Sequence, residues 1–457
     1  MHKLIYAFLL LICLSSFAFG GVKMNSLGDY FHYLVPDVET DIELFPTHLN
    51  FWEQRNIMLT AGGKSSHNKI DLNVYPLLGK ISYGMKTSFA SRGKYYPLYE
   101  SYKSDYYYSL SNDSEFDIKN YFCLRINNSF YIGMKFDWAK GWETRKSFSE
   151  TTNRPDYDYY YSKDSHYRDL DDDTYSAGFN LNFGNILRKD ISLSYSKNDY
   201  NKLDNSEHIY DREYSSGKRR YDSSLSNQSK NSDTEEYRFD VLFEKIQMRK
   251  FNRLYLSALY HIEDDITDYY REDDDRSYYN DTLSSSKWVC SKETTTTKNR
   301  YYQTEIGWGQ NWIRDNLQLF YGIRFQGSYS NTKTDETEES VIISYETFND
   351  STCTDTTSFE DALFDIEDKE WQASIILPFG MEYKLTNYFT LYAGLGYKIT
   401  RKLVDYPNSN KFYYWGTGGY QSAGIKIKPI KNLELGLNLN GDLAHFKNWR
   451  VEVRYLF

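Results

Sequence analysis

The chain is 457 residues long, with a formal net charge of −10, 46 tyrosines, only 8 prolines and a mean hydropathy of −0.71. That acid excess is the wrong balance for a nucleic-acid binder. Past residue 20 no stretch approaches the roughly 18 apolar residues of a transmembrane helix. Any membrane crossing must therefore use strands, in which only alternate residues face lipid and mean hydropathy stays low.

Residues 1–20 read as an export signal. Lys3 supplies the basic start, Leu4 to Leu14 an apolar stretch too short to span a bilayer, and Ala18-Phe19-Gly20 a small-x-small cleavage site. Cys13 follows Leu11-Ile12, without the small residue that a lipoprotein signal places before its cysteine. Residues 21–55 show no strand period and are expected to form a periplasmic arm or a plug in the lumen. Phe45-Pro46-Thr47 weakly resembles the Asn-Pro-Ala of the hatch in the long-chain fatty-acid transporter family. It departs from that motif at both positions flanking the proline, so no function is carried over.

From residue 56 to 457 one pattern repeats: strand, short turn, strand, long polar connection. Ile132, Met134, Phe136 and Trp138 alternate with Tyr131, Gly133, Lys135 and Asp137. Phe389 to Ile399 and Leu433 to Leu439 alternate likewise, at the period of a strand rather than a helix. Strands are predicted near 56–62, 69–77, 80–91, 116–126, 129–139, 173–184, 190–200, 233–246, 250–262, 299–312, 316–330, 367–384, 387–402, 416–429, 432–442 and 448–457. The first two are the weakest, so fourteen is the alternative to sixteen. Asn127-Asn128, Arg188-Lys189-Asp190, Arg249-Lys250, Arg314-Asp315-Asn316, Thr386-Asn387 and Lys431-Asn432 mark short turns. Segments near 140–172, 201–232, 263–298 and 331–366 are expected to be long extracellular loops, since transmembrane barrels have short periplasmic turns and long outer ones.

With the apolar faces turned to lipid, the opposite faces line the interior. They carry Lys86, Arg125, Lys135, Asp137, Arg238, Asp240, Glu305, Arg324, Lys398, Lys426, Lys428, Glu434, Arg450, Glu452 and Arg454. One Lys or Arg facing the hydrocarbon midplane costs about 2–4 kcal/mol, so these charges belong in a polar lumen. Individually they read more simply as cross-strand salt bridges than as constriction groups.

Other features yield no sharper chemistry. The acidic run Glu263, Asp264, Asp265, Asp268, Glu272, Asp273, Asp274, Asp275 and the weaker run Asp169, Asp171, Asp172, Asp173 lack EF-hand spacing and read as solvated loops rather than calcium sites. Tyr106-Tyr107-Tyr108 and Tyr157 to Tyr161 suit either a binding surface or strands extended above the membrane. His261 and His445 have carboxylates nearby but no nucleophile motif, so no catalytic residue, cofactor or metal is assigned. Cys290 and Cys353 fall in polar segments where they could pair, and Cys123 lies in a strand.

At the end of the chain Trp449, Val451, Val453, Tyr455 and Phe457 alternate with Arg450, Glu452, Arg454 and Leu456. This resembles the terminal strand of Gram-negative outer-membrane β-barrel proteins, whose alternating apolar residues and final aromatic are read by the barrel assembly machinery. The resemblance implies an all-β, antiparallel up-and-down transmembrane barrel in the cell outer membrane. Its implied partners are outer-membrane lipid and lipopolysaccharide, the assembly machinery and an unidentified solute or surface ligand, with a homo-oligomer as one arrangement. The charged lumen favours a passive, porin-like channel for small solutes. The alternative is a structural or adhesive surface-display barrel with a plugged lumen.

Overall fold

The computed structural model describes Leu27 and residues 29–37, 41–51, 56–64, 67–75, 77–78, 81–96, 105–127, 129–153, 159–214, 218–247, 250–279, 282–348, 351–406, 411–440 and 448–456. The export signal, His445 and Phe457 lie outside the described residues, as do the side chains of Trp449, Arg450 and Tyr106 to Tyr108. Of Tyr157 to Tyr161, the first two and the remaining side chains lie outside as well.

Strands make up nearly everything after residue 55. They are β1 (Asn56–Lys64), β2 (His67–Tyr75), β3 (Leu77–Leu78), β4 (Ile81–Tyr96), β5 (Asp105–Arg125), β6 (Phe130–Asn153), β7 (Tyr159–Asn185), β8 (Lys189–Tyr214) and β9 (Lys218–Gln247). There follow β10 (Lys250–Tyr279), β11 (Thr282–Arg314), β12 (Leu317–Phe348), β13 (Ser351–Lys384), β14 (Phe389–Asp405), β15 (Phe412–Ile430), β16 (Leu433–Asn440) and β17 (Asn448–Leu456).

From β4 to β17 every strand pairs antiparallel with the next. Both β2 and β3 pair with β4 and form one interrupted strand. β17 pairs back onto β1, which lies beside β2. The ring therefore closes with sixteen strand positions, as the alternation of the sequence implies.

The short turns gather at one end. At Ile186-Leu187-Arg188 the bend comes two residues before the predicted centre, leaving Lys189 and Asp190 in β8. Arg188 and Asp315 both take the left-handed backbone, at φ 51° each. Asp suits that conformation. Arg188 is held in it while its guanidinium binds Glu244 at 2.7 Å.

The long polar segments are not loops. Most of 140–172, 201–232, 263–298 and 331–366 is continuous strand, and β13 runs for 34 residues where a bilayer needs roughly 9–11. Their strand character is carried by polar cross-strand contacts: Thr294 to Asp268 at 2.8 Å, Ser206 to Ser226 at 2.7 Å, Arg168 to Asp204 at 2.9 Å. Neither face of such a wall is apolar, so hydrophobic alternation has no signal there. The acidic run in β10 is thereby spread over both faces, with Asp264 bound to Arg300, Asp265 to Lys230 and Asp275 to Arg220. Cys290 is free, and its strand is separated from that of Cys353 by β12. Two strand spacings are about 9.6 Å, beyond the reach of a disulfide, so the pairing that the sequence left open does not form.

Outward-facing rings are heavily exposed: Phe136 50%, Trp138 44%, Phe179 48%, Phe239 43%, Phe379 47%. An oblique ladder of rings crosses six strands through the contacts Tyr195–Tyr237, Tyr237–Tyr260, Tyr260–Tyr302, Tyr302–Tyr329 and Tyr329–Trp371. On the short-turn side of this ladder the outer face is apolar. Beyond it come the ion pairs Lys197–Asp233, Arg300–Asp264 and Lys369–Glu367. A closed sheet satisfies its own backbone, and an apolar belt edged with aromatics is stable only against lipid. The chain folds as a membrane-spanning β-barrel.

Candidate functional site

The site lies where the N-terminal arm meets the inner wall. Leu27, Phe31, Leu34, Val35, Ile42, Phe45 and Leu49 are each at most 1% exposed, although the arm has no sheet of its own. Short-range hydrogen bonds shape it: Asp41 N–H donates to Asp37 O (2.8 Å), Phe45 N–H to Asp41 O (2.7 Å) and His48 N–H to Phe45 O (2.9 Å). Pro46 opens a 3-10 turn, Pro46–Phe51, where its fixed φ fits and its missing N–H is not needed.

The arm touches twelve consecutive strands near their short-turn ends. Glu43 meets Lys86 of β4 at 3.0 Å and Lys119 of β5 at 3.5 Å. Ile42 and Leu49 cover Tyr121, Cys123 and Tyr131 of β5 and β6. Thr47 N–H donates to Asn182 Oδ1 of β7 at 3.0 Å, and its hydroxyl reaches Asp190 Oδ1 of β8 at 2.7 Å. Leu44 and Phe45 pack on Leu242 of β9 and Tyr255 of β10. The carbonyl of His32 accepts from Arg324 of β12. Gly309 of β11, Gly380 of β13 and Gly394 of β14 are floors on which Leu34 and Leu27 rest, and Tyr30 meets Tyr420 of β15 at 5.7 Å.

Arg253 is the centre of the array and is 0% exposed. Its guanidinium forks onto Asp41 at 2.9 and 2.7 Å, donates from Nε to Glu244 at 2.7 Å, and reaches Val35 O at 3.3 Å. Glu244 binds Arg188 at 2.7 Å with its other oxygen. A buried array of this kind is favourable only when every member is satisfied, so it specifies one seating of the arm.

His48 bridges two buried carboxylates, with Nδ1 3.4 Å from Asp41 and Nε2 3.2 Å from Asp190. Burial works against its charge, but Asp190 and Asp41 outweigh that, and its pKa is pushed up to about 9. Burial also opposes the charge of Asp41, yet Arg253 and His48 hold its carboxyl well below the usual range. A raised histidine pKa stabilises docking fully below the free value of 6.5, and that contribution disappears as pH rises through about 9. Hydrogen exchange of residues 41–51, corrected for its intrinsic pH dependence, is therefore expected to quicken between those limits and not to do so in His48→Gln. Equal profiles for the two proteins would remove His48 from the latch.

No family model matches this chain. No curated protein matches it. Solved structures similar to it include the outer membrane transporter YddB from Escherichia coli, at 7% identity and TM-score 0.31 over 89% of this chain and 81% of that chain. The siderophore receptor PirA from Acinetobacter baumannii matches at 8% identity and TM-score 0.30, over 88% and 80%. The ferripyoverdine receptor of the outer membrane of Pseudomonas aeruginosa matches at 8% and TM-score 0.29, over 88% and 72%. At identities and TM-scores this low, the likenesses carry no argument about this chain.

The charges singled out from the sequence fall into separate groups. Lys86 and Arg324 touch the arm. Lys135 pairs with Asp137 (3.0 Å), Arg238 with Asp240 (3.0 Å), Glu305 with Arg324 (3.1 Å), Lys428 with Glu434 (3.2 Å) and Arg454 with Glu452 (3.0 Å). Lys398 acts on Glu305 through space. Lys426 is half-buried, and Arg125 is exposed at the short-turn rim, donating to Asn127 O at 3.4 Å. On β17, Val451, Val453 and Tyr455 share the face opposite Glu452 and Arg454. His261 meets the ring of Tyr301 at 6.5 Å. The sequence reading missed Arg253, Glu244, Asp190 and Asn182. Arg253 and Tyr255 alternate with Leu254 and Leu256, and that alternation was its one signal.

Proposed function

We propose that this chain is an outer-membrane transport barrel held shut at rest by its own arm, rather than a constitutively open porin. In this reading residues 21–55 are a plug, 56–457 are the barrel, and the charged set from Lys86 to Arg454 is lumen wall. The supporting observation is the buried Asp41–Arg253–Glu244 array, in which an arm carboxylate shares a wall guanidinium with a wall carboxylate. A path closed by ion pairs and glycine floors is releasable, whereas one closed by a covalent or continuous core is not.

Surface display is the second reading, favoured by the tall polar walls of β7 to β13 beyond the aromatic ladder. Liposome swelling in sucrose separates the two. Wild-type proteoliposomes are expected to stay tight and those carrying Gly309→Val, which expels the arm, to swell. If the variant frees its arm and still stays tight, the walls seal the barrel and the display reading takes over.

A further inference from the structure

The lipid-facing wall contains an apolar groove with a cationic end. A hollow of about 770 Å³ opens on the outer face of β10 to β15. Its floor is one register row in which each residue lies opposite the next: Ala258, Thr304, Gly327, Ala373, Arg401 and Trp415. The lower lip is the row Leu256, Ile306, Phe325 and Ile375, and the next outward row above the floor is Tyr260, Tyr302, Tyr329 and Trp371. Phe239 closes the near end opposite Ala258. From Ala258 to Arg401 the row crosses four strand spacings, about 19 Å, long enough for an extended acyl chain.

The row climbs through the membrane. Ala258 is the ninth residue of β10 from the short-turn end, Arg401 the thirteenth of β14 and Trp415 the sixteenth of β15. This follows from strand tilt, which lifts successive strands along any register row. One end of the groove therefore lies in hydrocarbon, and Arg401 lies at the outer interface, where a cation costs little.

Arg401 is exposed, and among the described residues no carboxylate stands within ion-pair distance of it. It instead stacks against Tyr413 at 5.7 Å and Trp415 at 5.4 Å. The outward cations just beyond the aromatic ladder, Lys197, Arg300 and Lys369, all have carboxylate partners. Two rings thus orient a guanidinium whose fork matches a phosphate, at the mouth of a groove that matches an acyl chain.

We propose that this groove is a specific site for one phosphorylated lipid of the outer leaflet, with an acyl chain on the Ala258–Ala373 floor and the phosphate on Arg401. Gly327 is the position that blocks the floor without strain, because a Cβ there would meet only Thr304 Oγ1, at 3.6 Å.

Native mass spectrometry of the full chain in detergent, with dipalmitoyl phosphatidic acid and dipalmitoylglycerol at equal concentration, tests this. Wild type is expected to retain one phosphatidic acid, about tenfold in excess over the neutral lipid, the value of one charge-assisted contact. Arg401→Gln should hold both lipids equally. Gly327→Leu should hold neither while keeping a wild-type β-sheet spectrum. No retained lipid in wild type, equal retention of the two lipids by wild type, or unchanged retention in both variants would overturn the site. A dimer that excludes lipid would assign the groove to a second copy instead.

Discussion

Replacing Arg253 by methionine is expected to unseat the arm while leaving the barrel closed. Arg253 serves Asp41 and Glu244 at once, with every nitrogen engaged and no exposure to solvent. Its removal takes from Asp41 and Glu244 the cation they share, leaving one with His48 and the other with Arg188, and breaking a buried pair in this way costs about 3–5 kcal/mol. The docking equilibrium should therefore fall by about two to four orders of magnitude. Arg253→Lys should fall between, since an ammonium keeps the charge and loses the fork. Cys123 reports the outcome: it is 0% exposed, and its thiol faces Thr47 O at 3.7 Å. Maleimide should modify Cys123 slowly in wild type and quickly in Arg253→Met. Equal rates would mean that the array does not hold the arm.

Gly309→Val is expected to have a comparable effect by a steric route. A Cβ at Gly309 would collide with the carbonyl of Leu34, and the three atoms nearest to it all belong to that arm residue. Backbone cannot yield as a flexible side chain does, and even ordinary overpacking costs about 1–3 kcal/mol. The strand itself favours valine, so the cost falls on the arm rather than on the barrel. Gly327→Val is the control, because it points to the outer groove and its Cβ meets only Thr304 Oγ1, at an ordinary 3.6 Å. Limited proteolysis should cut residues 27–51 in Gly309→Val and spare them in Gly327→Val. Protection in both would show that Leu34 can shift without loss.

The barrel was legible in the sequence wherever one face met lipid. Met134, Phe136 and Trp138 against Lys135 and Asp137 carry the alternation openly, and the strand count follows from repeats of it. The walls above the membrane were not legible, because Asp264 and Asp265 face opposite sides and both sides are wet. Residues such as Thr294 to Thr297 therefore looked like loop while pairing as strand. The arm array was hidden for a different reason. Asp41, Arg253 and Glu244 are brought together by closure of the ring, and their sequence separations carry no period. The glycine floors at Gly309 and Gly394 carry no sequence signal either, since Leu34 and Leu27 reach them only when the arm is seated.

Single-channel conductance of the folded, inserted chain in a planar bilayer tests the closed-lumen account most directly, with Arg253→Met recorded beside wild type. The account predicts silence from wild type and stable open steps from the variant. Stable open steps from wild-type protein whose Cys123 remains protected would contradict it, because the path would then be open with the arm still seated.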